Sequence, residues 1–345
     1  MLLLTVLGCA TLQNVQKNLG LTPFKNLDVV ELRAGLGGQD AVCPGMAAPL
    51  FVEAVTRDGE VHDVKWKHLT VAGGGVAVDN GLAVVPSDPA ATWGTSGSVR
   101  IASRHHEGVS AEVPVPIRYD CHYQADFYGA PGRDGANGHV GSMGSSGKDE
   151  QSSESYAAPG GHGGRGQDGG DGGDGESGRD GQDVLVEVDV LEGSLLIVHV
   201  NGTPYVIDEG GSLAVYANGG RGGHGGNGGS GGTGGGGGTG APPGDGGDGG
   251  NGGNGGSGGD GGDGGSITIV FDPAVKNTDV ITAHNDGGSA GRAGTAGFGG
   301  GGGTTFSGAD QGERGLDGVA GHRDGRPGQT GPAVKTSTKT LALTI

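Results

Sequence analysis

The chain is 345 residues long, with 86 glycines, three cysteines and a formal net charge of −18. Its 21 basic residues are outnumbered by 39 acidic ones, which excludes the clustered Lys and Arg surface that grips phosphate and so a nucleic-acid partner. No run approaches the roughly 18 apolar residues that a membrane-spanning helix needs.

Residues 2–7 are apolar and lead into Val6-Leu7-Gly8-Cys9. This stretch resembles the lipobox of bacterial lipoproteins, and the resemblance implies acylation of Cys9 and attachment to a membrane through lipid. A full signal also carries a basic leader and a longer apolar run. Residues 1–9 therefore read as a partial signal and 10–26 as a linker, with an ordinary buried Cys9 as the other reading. The expected location is the bacterial cell surface or outer membrane, or outside the cell.

Residues 27–123 have ordinary glycine content, and alternation at 28–32, 50–56, 61–67, 97–103 and 110–118 predicts strands. Trp66 followed by Gly73-Gly74-Gly75-Val76-Ala77-Val78-Asp79-Asn80-Gly81 is similar to bacterial Ig-like domains of the invasin and intimin type, which implies a β-sandwich. Cys43 and Cys121 are an even pair near the ends of this region. They read either as a disulfide stapling the domain's end to its exit strand, consistent with export, or as two free thiols. His105-His106, beside Glu107, reads as a solvated loop. No GxSxG, HExxH or GxxxxGK[ST] pattern is present, and the expectation is that the protein is not an enzyme.

From residue 129 onward six tracts place glycine on every third residue: 129–147, 160–181, 219–240, 246–264, 288–303 and, with one slip, 312–331. A period of three matches neither helix nor strand but suits the polyproline II helix, which has three residues per turn and no internal hydrogen bonds. The third and fourth tracts are Gly-Gly-X, with two bare faces, and belong in the middle. The first and sixth are mostly Gly-X-Y and belong at the edges. Ala at Gly252 or Gly255 is accordingly expected to destabilise more than Ala at Gly138 or Gly318. At about 3.1 Å per residue the tracts match in length, which favours packing over a flexible linker.

Strand patterns at 184–190, 195–200, 205–207, 213–216, 266–271, 280–283 and 335–345 follow the second, fourth and sixth tracts. The other junctions, 148–159, 241–245 and 304–311, are short and polar. If the tracts alternate in direction, the strands gather at one end and these three connectors at the other. The predicted fold is all-β plus polyproline II: an N-terminal Ig-like β-sandwich, then, over 129–345, a bundle of about six antiparallel polyproline II helices on a β base.

Gly-Gly-X arrays broken by short variable loops resemble the glycine-rich receptor-binding tip adhesins of T-even-type phage tail fibres. The resemblance implies partner binding through tip loops, and it points here to Tyr156, Pro242, Pro243 and Phe306. Acidic residues recur at the third triplet position, as at Asp168, Asp171, Asp174, Asp245, Asp248, Asp260 and Asp263. They are read as solvated, with calcium shared between rows on adjacent helices as the other reading; no other cofactor is expected. An adhesin or structural envelope component recognising a cell-surface or matrix ligand is the functional expectation. The alternatives are a filament or coat subunit that assembles by β-augmentation through its terminal strand, and an ice- or mineral-surface binder.

Overall fold

The structure, a computed structural model, describes residues 23–150, 158–208 and 210–345. It is all-β, with one α-helical turn at Pro89–Thr92 and two 3-10 turns, Phe24–Asn26 and Trp66–His68, among the described residues. Two separate apolar clusters divide it into an N-terminal part and a larger glycine-rich part.

The N-terminal part holds β1 (Val29–Leu36), β2 (Ala47–Thr56), β3 (Val61–Asp63), β4 (Leu69–Gly74), β5 (Ala77–Asp79), β6 (Leu82–Val84), β7 (Gly97–Ser103) and β8 (Ser110–Val115). One sheet runs β1-β2-β6-β5 with β3 on β2, and the other β4-β7-β8. Alternate residues of both sheets, among them Leu32, Leu50, Val52, Leu69, Val99, Ile101 and Val113, point into one shared core. Burial of such side chains contributes about 1.5 to 3 kcal/mol each.

Two local expectations change here. The predicted strand at 61–67 stops at Asp63, because Trp66–His68 form a 3-10 turn. Trp66 instead lies over the β5–β6 turn, where a Cβ on Gly81 would meet its Nε1 at 2.5 Å. Gly81 and Asn80 both have positive φ, 82° and 48°, as the two central residues of a tight hairpin require.

The glycine-rich part adds β9 (His122–Asp126), β10 (Val184–Glu192), β11 (Leu195–Val200), β12 (Thr203–Ile207), β13 (Ser212–Tyr216), β14 (Ile267–Phe271), β15 (Ile281–His284) and β16 (Lys335–Thr338). They form two sheets, β12-β11-β10-β14-β16 and β15-β13-β9, with Val186, Val198, Leu213, Val215, Ile267 and Phe271 in the core they share. β9, β13 and β15 are mutually parallel and lead into the first, third and fifth tracts. β10, β14 and β16 are mutually parallel and follow the second, fourth and sixth. The base therefore sits at both the entry and the exit of the tracts, and β9 is a strand that the short polar segment HYQAD did not announce.

Sheet and tract share one register. β9 pairs with β13 at a separation of 90 residues, and the first tract meets the third at the same 90. The second and fourth keep the 83 of β10 and β14, and the third and fifth the 68 of β13 and β15. The fourth and sixth are the exception: their separation steps from 65 to 66, because glycine skips from 321 to 325, and β14 and β16 pair at 67. Each layer of the base thus continues into a parallel row of tracts. Once side chains give way to glycine, the two layers close until their backbones bond directly.

No backbone hydrogen bond joins two residues of one tract among the described residues; every bond goes to a neighbour. The third tract bonds to the first, second, fourth and fifth, and the fourth to the second, third, fifth and sixth. The first and sixth have only two neighbours each. Gly-Gly-X sequence is therefore central and Gly-X-Y sequence marginal.

The terminal strand is shorter than 335–345. β16 ends at Thr338, and the remainder is held by Leu341 N–H donating to Asp272 (2.9 Å) and Leu343 N–H to Asp189 (3.0 Å). Backbone amides of Leu341 and Ala274, in that order, keep the Asp272 carboxyl below the usual carboxylate range.

Candidate functional site: the free end and the outer faces of the glycine bundle

Each Gly-Gly-X triplet has three backbone N–H groups to satisfy, and the fourth tract shows where they go. Gly252 N–H donates to Leu316 O in the same layer, and Gly253 N–H to Gly229 O across the layers, both at 2.8 Å. The third, on Asn254, donates to the side-chain Oδ1 of Asp171 at 2.6 Å. In the same way the backbone N–H of Asn251 donates to Asp168 Oδ1, Ser257 to Asp174, Asp263 to Asp180, His224 to Asp134 and Thr295 to Asn227.

The acidic rows are thus acceptor ladders, which corrects their reading as simply solvated. His162 and His224 serve in the same way through Nδ1. Donation from the backbone amides of His224, Thr239 and Arg326 holds Asp134, Asp149 and Asp260 below the ordinary carboxylate range. For Asp183 the Ser266 hydroxyl is the larger cause, ahead of the Ser266 amide. Among the described residues no three His, Cys, Asp or Glu side chains come together as a metal cage. The signal in the sequence was the preference for Asp and Asn at the third position, which an account of the third amide explains.

The outer faces of both layers mix polar and apolar side chains. The even tracts carry Asp168, Asp171, Asp174, Asp180, Asp248 and Asp263 outward, and the sixth also exposes Leu316 and Val319, at 75% and 63%. On the odd tracts Val140, Met143 and Phe298 are exposed, at 71%, 72% and 69%. There the acceptor ladder is interrupted: Val140, Met143 and Ser230 stand opposite the amides of Ser230, Thr233 and Phe298.

The three connectors gather at the end away from the base. Ala241 N–H donates to Ala158 O, Gly160 N–H to Pro242 O, and Gly237 N–H to Thr304 O, so the described parts of the connectors are tied to the ends of neighbouring tracts. Pro242 is exposed and Pro243 partly so, in the connector between the layers. Phe306 is 53% exposed in a different connector, whose residues Thr304, Thr305, Phe306, Ser307 and Ala309 line a hollow of 350 Å³. Tyr156 and Cys9 lie outside the described residues.

At the opposite end Cys43 and Cys121 form a disulfide. It joins the segment before β2 to the segment leading into β9. Nearby, Tyr119 Oη donates to Thr92 O at 3.1 Å, and its ring lies 5.7 Å from that of Trp93. A 140 Å³ cleft lined by Met46, Pro89, Tyr123 and Tyr205 lies at this junction. Burial pushes the Tyr123 phenol up to about 12.

Among the described residues no helix is long and apolar enough to cross a membrane. Comparison with protein-family models, curated proteins and solved structures finds no match.

Proposed function

We propose that the chain is an exported bacterial surface protein, an adhesin or envelope component, that engages a cell-surface or matrix ligand through the free end of its glycine bundle. The observation that carries this reading is the segregation of the chain. Three side-chain-bearing connectors cluster at one end of a rigid glycine scaffold, and the disulfide-linked N-terminal part stands at the other. Loops held by a rigid scaffold are where binding residues concentrate, and an exposed aromatic ring such as Phe306 supplies contact area at low entropic cost.

In this reading the tracts are polyproline II helices, supported by their three-residue bonding period and by the lack of bonds within any tract. The N-terminal part is an Ig-like stalk, supported by its two facing sheets and by the packing of Trp66 on Gly81. Acylation of Cys9 tethers the stalk to the membrane. The disulfide is consistent with an oxidising compartment. The same arrangement would suit the phage tip adhesins that the tracts resemble.

Exchanging residues 304–307 for Gly/Ser, alone and with Phe306→Ala as a minimal variant, tests the reading on cells and on immobilised matrix. Binding should fall at least tenfold while the melting temperature stays within a few degrees of the parent. Full binding by the exchanged protein would move recognition off the free end.

A further inference from the structure

The N-terminal part brings together two histidines that are far apart in sequence. His68 closes the Trp66–His68 turn and His105 lies on the loop after β7, yet His68 Nδ1 and His105 Nε2 stand 3.1 Å apart. Their rings are 5.2 Å apart at 57°. Both loops are pinned from the backbone. Arg104 N–H donates to His68 O at 3.0 Å, Arg104 Nε to Leu69 O at 2.7 Å, and His105 N–H to Ser103 Oγ at 3.2 Å. Phe24 packs against both rings, with centroids at 5.3 and 6.1 Å. The neighbouring His106 faces away, bonding Leu27 O at 2.9 Å and Ser103 Oγ at 3.0 Å.

Two imidazole nitrogens this close share a single proton or share a cation. In the first case one ring donates and the other accepts through an unprotonated nitrogen. Neutral imidazole is also the form that ligates metal. Loss of solvent is the largest cause holding His68 below the ordinary histidine range, followed by Lys67, His105 and Lys65. At metal–nitrogen distances of about 2.0 to 2.1 Å, the observed separation subtends an angle of about 100° at the metal. That lies between square-planar and tetrahedral values, so a modest turn of each ring would aim both lone pairs at one ion.

We infer that His68 and His105 form a two-imidazole site for a divalent transition metal of the copper and zinc class. Imidazole suits these ions, and copper(II) is the tighter of the two on nitrogen ligands. Among the described residues no third His, Cys, Asp or Glu completes a cage. The remaining positions would go to water, leaving the site open to an outside ligand rather than closed as a structural site is.

Copper(II) and zinc(II) titrations of the full-length, disulfide-bonded protein, followed by calorimetry and, for copper, by electron paramagnetic resonance, test this. One equivalent should bind first, copper tighter than zinc, with the copper spectrum showing imidazole nitrogen coupling. His68→Gln and His105→Gln, whose amides can keep the polar contact and the fold, should each weaken that first equivalent at least tenfold. His162→Gln and His224→Gln in the bundle should leave it unchanged. The inference is overturned if the His68→Gln/His105→Gln double variant, shown to be folded by its circular dichroism and melting curve, binds the first equivalent as tightly as the parent. It is equally overturned if the parent takes up neither ion.

Discussion

At the scale of single residues, the third triplet position decides whether the bundle's backbone is fully bonded. An Oδ1 at that position satisfies an amide that no carbonyl reaches, and Asp and Asn both offer one. Asp134, Asp149, Asp183 and Asp260 in the ladder, and Asp272 in the base, are held below the ordinary carboxylate range, so at these five the folded state binds fewer protons than the unfolded chain wherever the two differ. Stability from Asp134, Asp149, Asp183, Asp260 and Asp272 is therefore fully present above the unfolded carboxylate value of about 3.9. It is lost as pH falls through the folded values. Melting temperature should be nearly flat from neutral pH to about 5 and drop steeply below about 4. Replacing all five with Asn should flatten that acid limb, since an amide oxygen accepts at any pH. A curve of unchanged steepness in the five-fold variant would show that other groups set the acid transition.

At the scale of the element, the expectation that inner glycines matter more than outer ones needs revision. A Cβ on Gly252 or Gly255 would run into the backbone of the fifth tract. A Cβ on Gly138 or Gly318 would run into that of the second or fourth just as closely. The single bare face of a Gly-X-Y tract is the one turned inward, so marginal tracts are as intolerant there as central ones. The real contrast lies with glycines at the third position: Gly301 meets only a methyl at 4.0 Å and Gly236 an oxygen at 3.4 Å. Gly252→Ala and Gly138→Ala should both destabilise by about 1 to 3 kcal/mol or more, and Gly301→Ala by less than about 0.5 kcal/mol, read from denaturant unfolding. If Gly138→Ala proves as mild as Gly301→Ala, the inward face of the first tract is not packed in solution.

Tract number, tract lengths and most base strands were legible because glycine period and apolar alternation are local signals. The shared register of sheets and tracts was not. It depends on pairings 65 to 90 residues apart, and no single segment encodes them. The meeting of His68 with His105 was hidden for the same reason. Phe306 was legible as an aromatic ring on a short connector, whereas the acceptor role of Asp171 needed the neighbouring amide in view.

At the scale of the whole molecule, two β layers become two glycine layers, with the register kept in every same-layer pair except the fourth and sixth tracts, so the base aligns the tracts and the tracts carry the connectors outward. The acceptor ladder also bears on how long such a molecule lasts. Asparagine followed by glycine is prone to chemical ageing: the glycine nitrogen attacks the side-chain carbonyl carbon, ammonia leaves, and the resulting succinimide opens to aspartate or to isoaspartate, which lengthens the main chain. The bundle contains this dipeptide at Asn137, Asn218, Asn227, Asn251 and Asn254, where one lengthened residue would throw the following triplets out of step. In the folded chain the attacking nitrogens are occupied, with Gly138 donating to Asn227 O, Gly219 to Asp286 O, Gly228 to Thr295 O, Gly252 to Leu316 O and Gly255 to Val319 O. The side chains are held as well, each Oδ1 accepting an amide of the neighbouring chain segment in its layer. Asn80-Gly81, in the β5–β6 turn, is an internal reference outside the ladder. During prolonged warm incubation at mildly alkaline pH, peptide mass spectrometry should find conversion at Asn80 well before any at the five bundle asparagines. Equal rates would mean that the ladder opens often enough to give no protection. The hydrogen bonds that hold neighbouring tracts together would then also keep their Asn-Gly dipeptides intact.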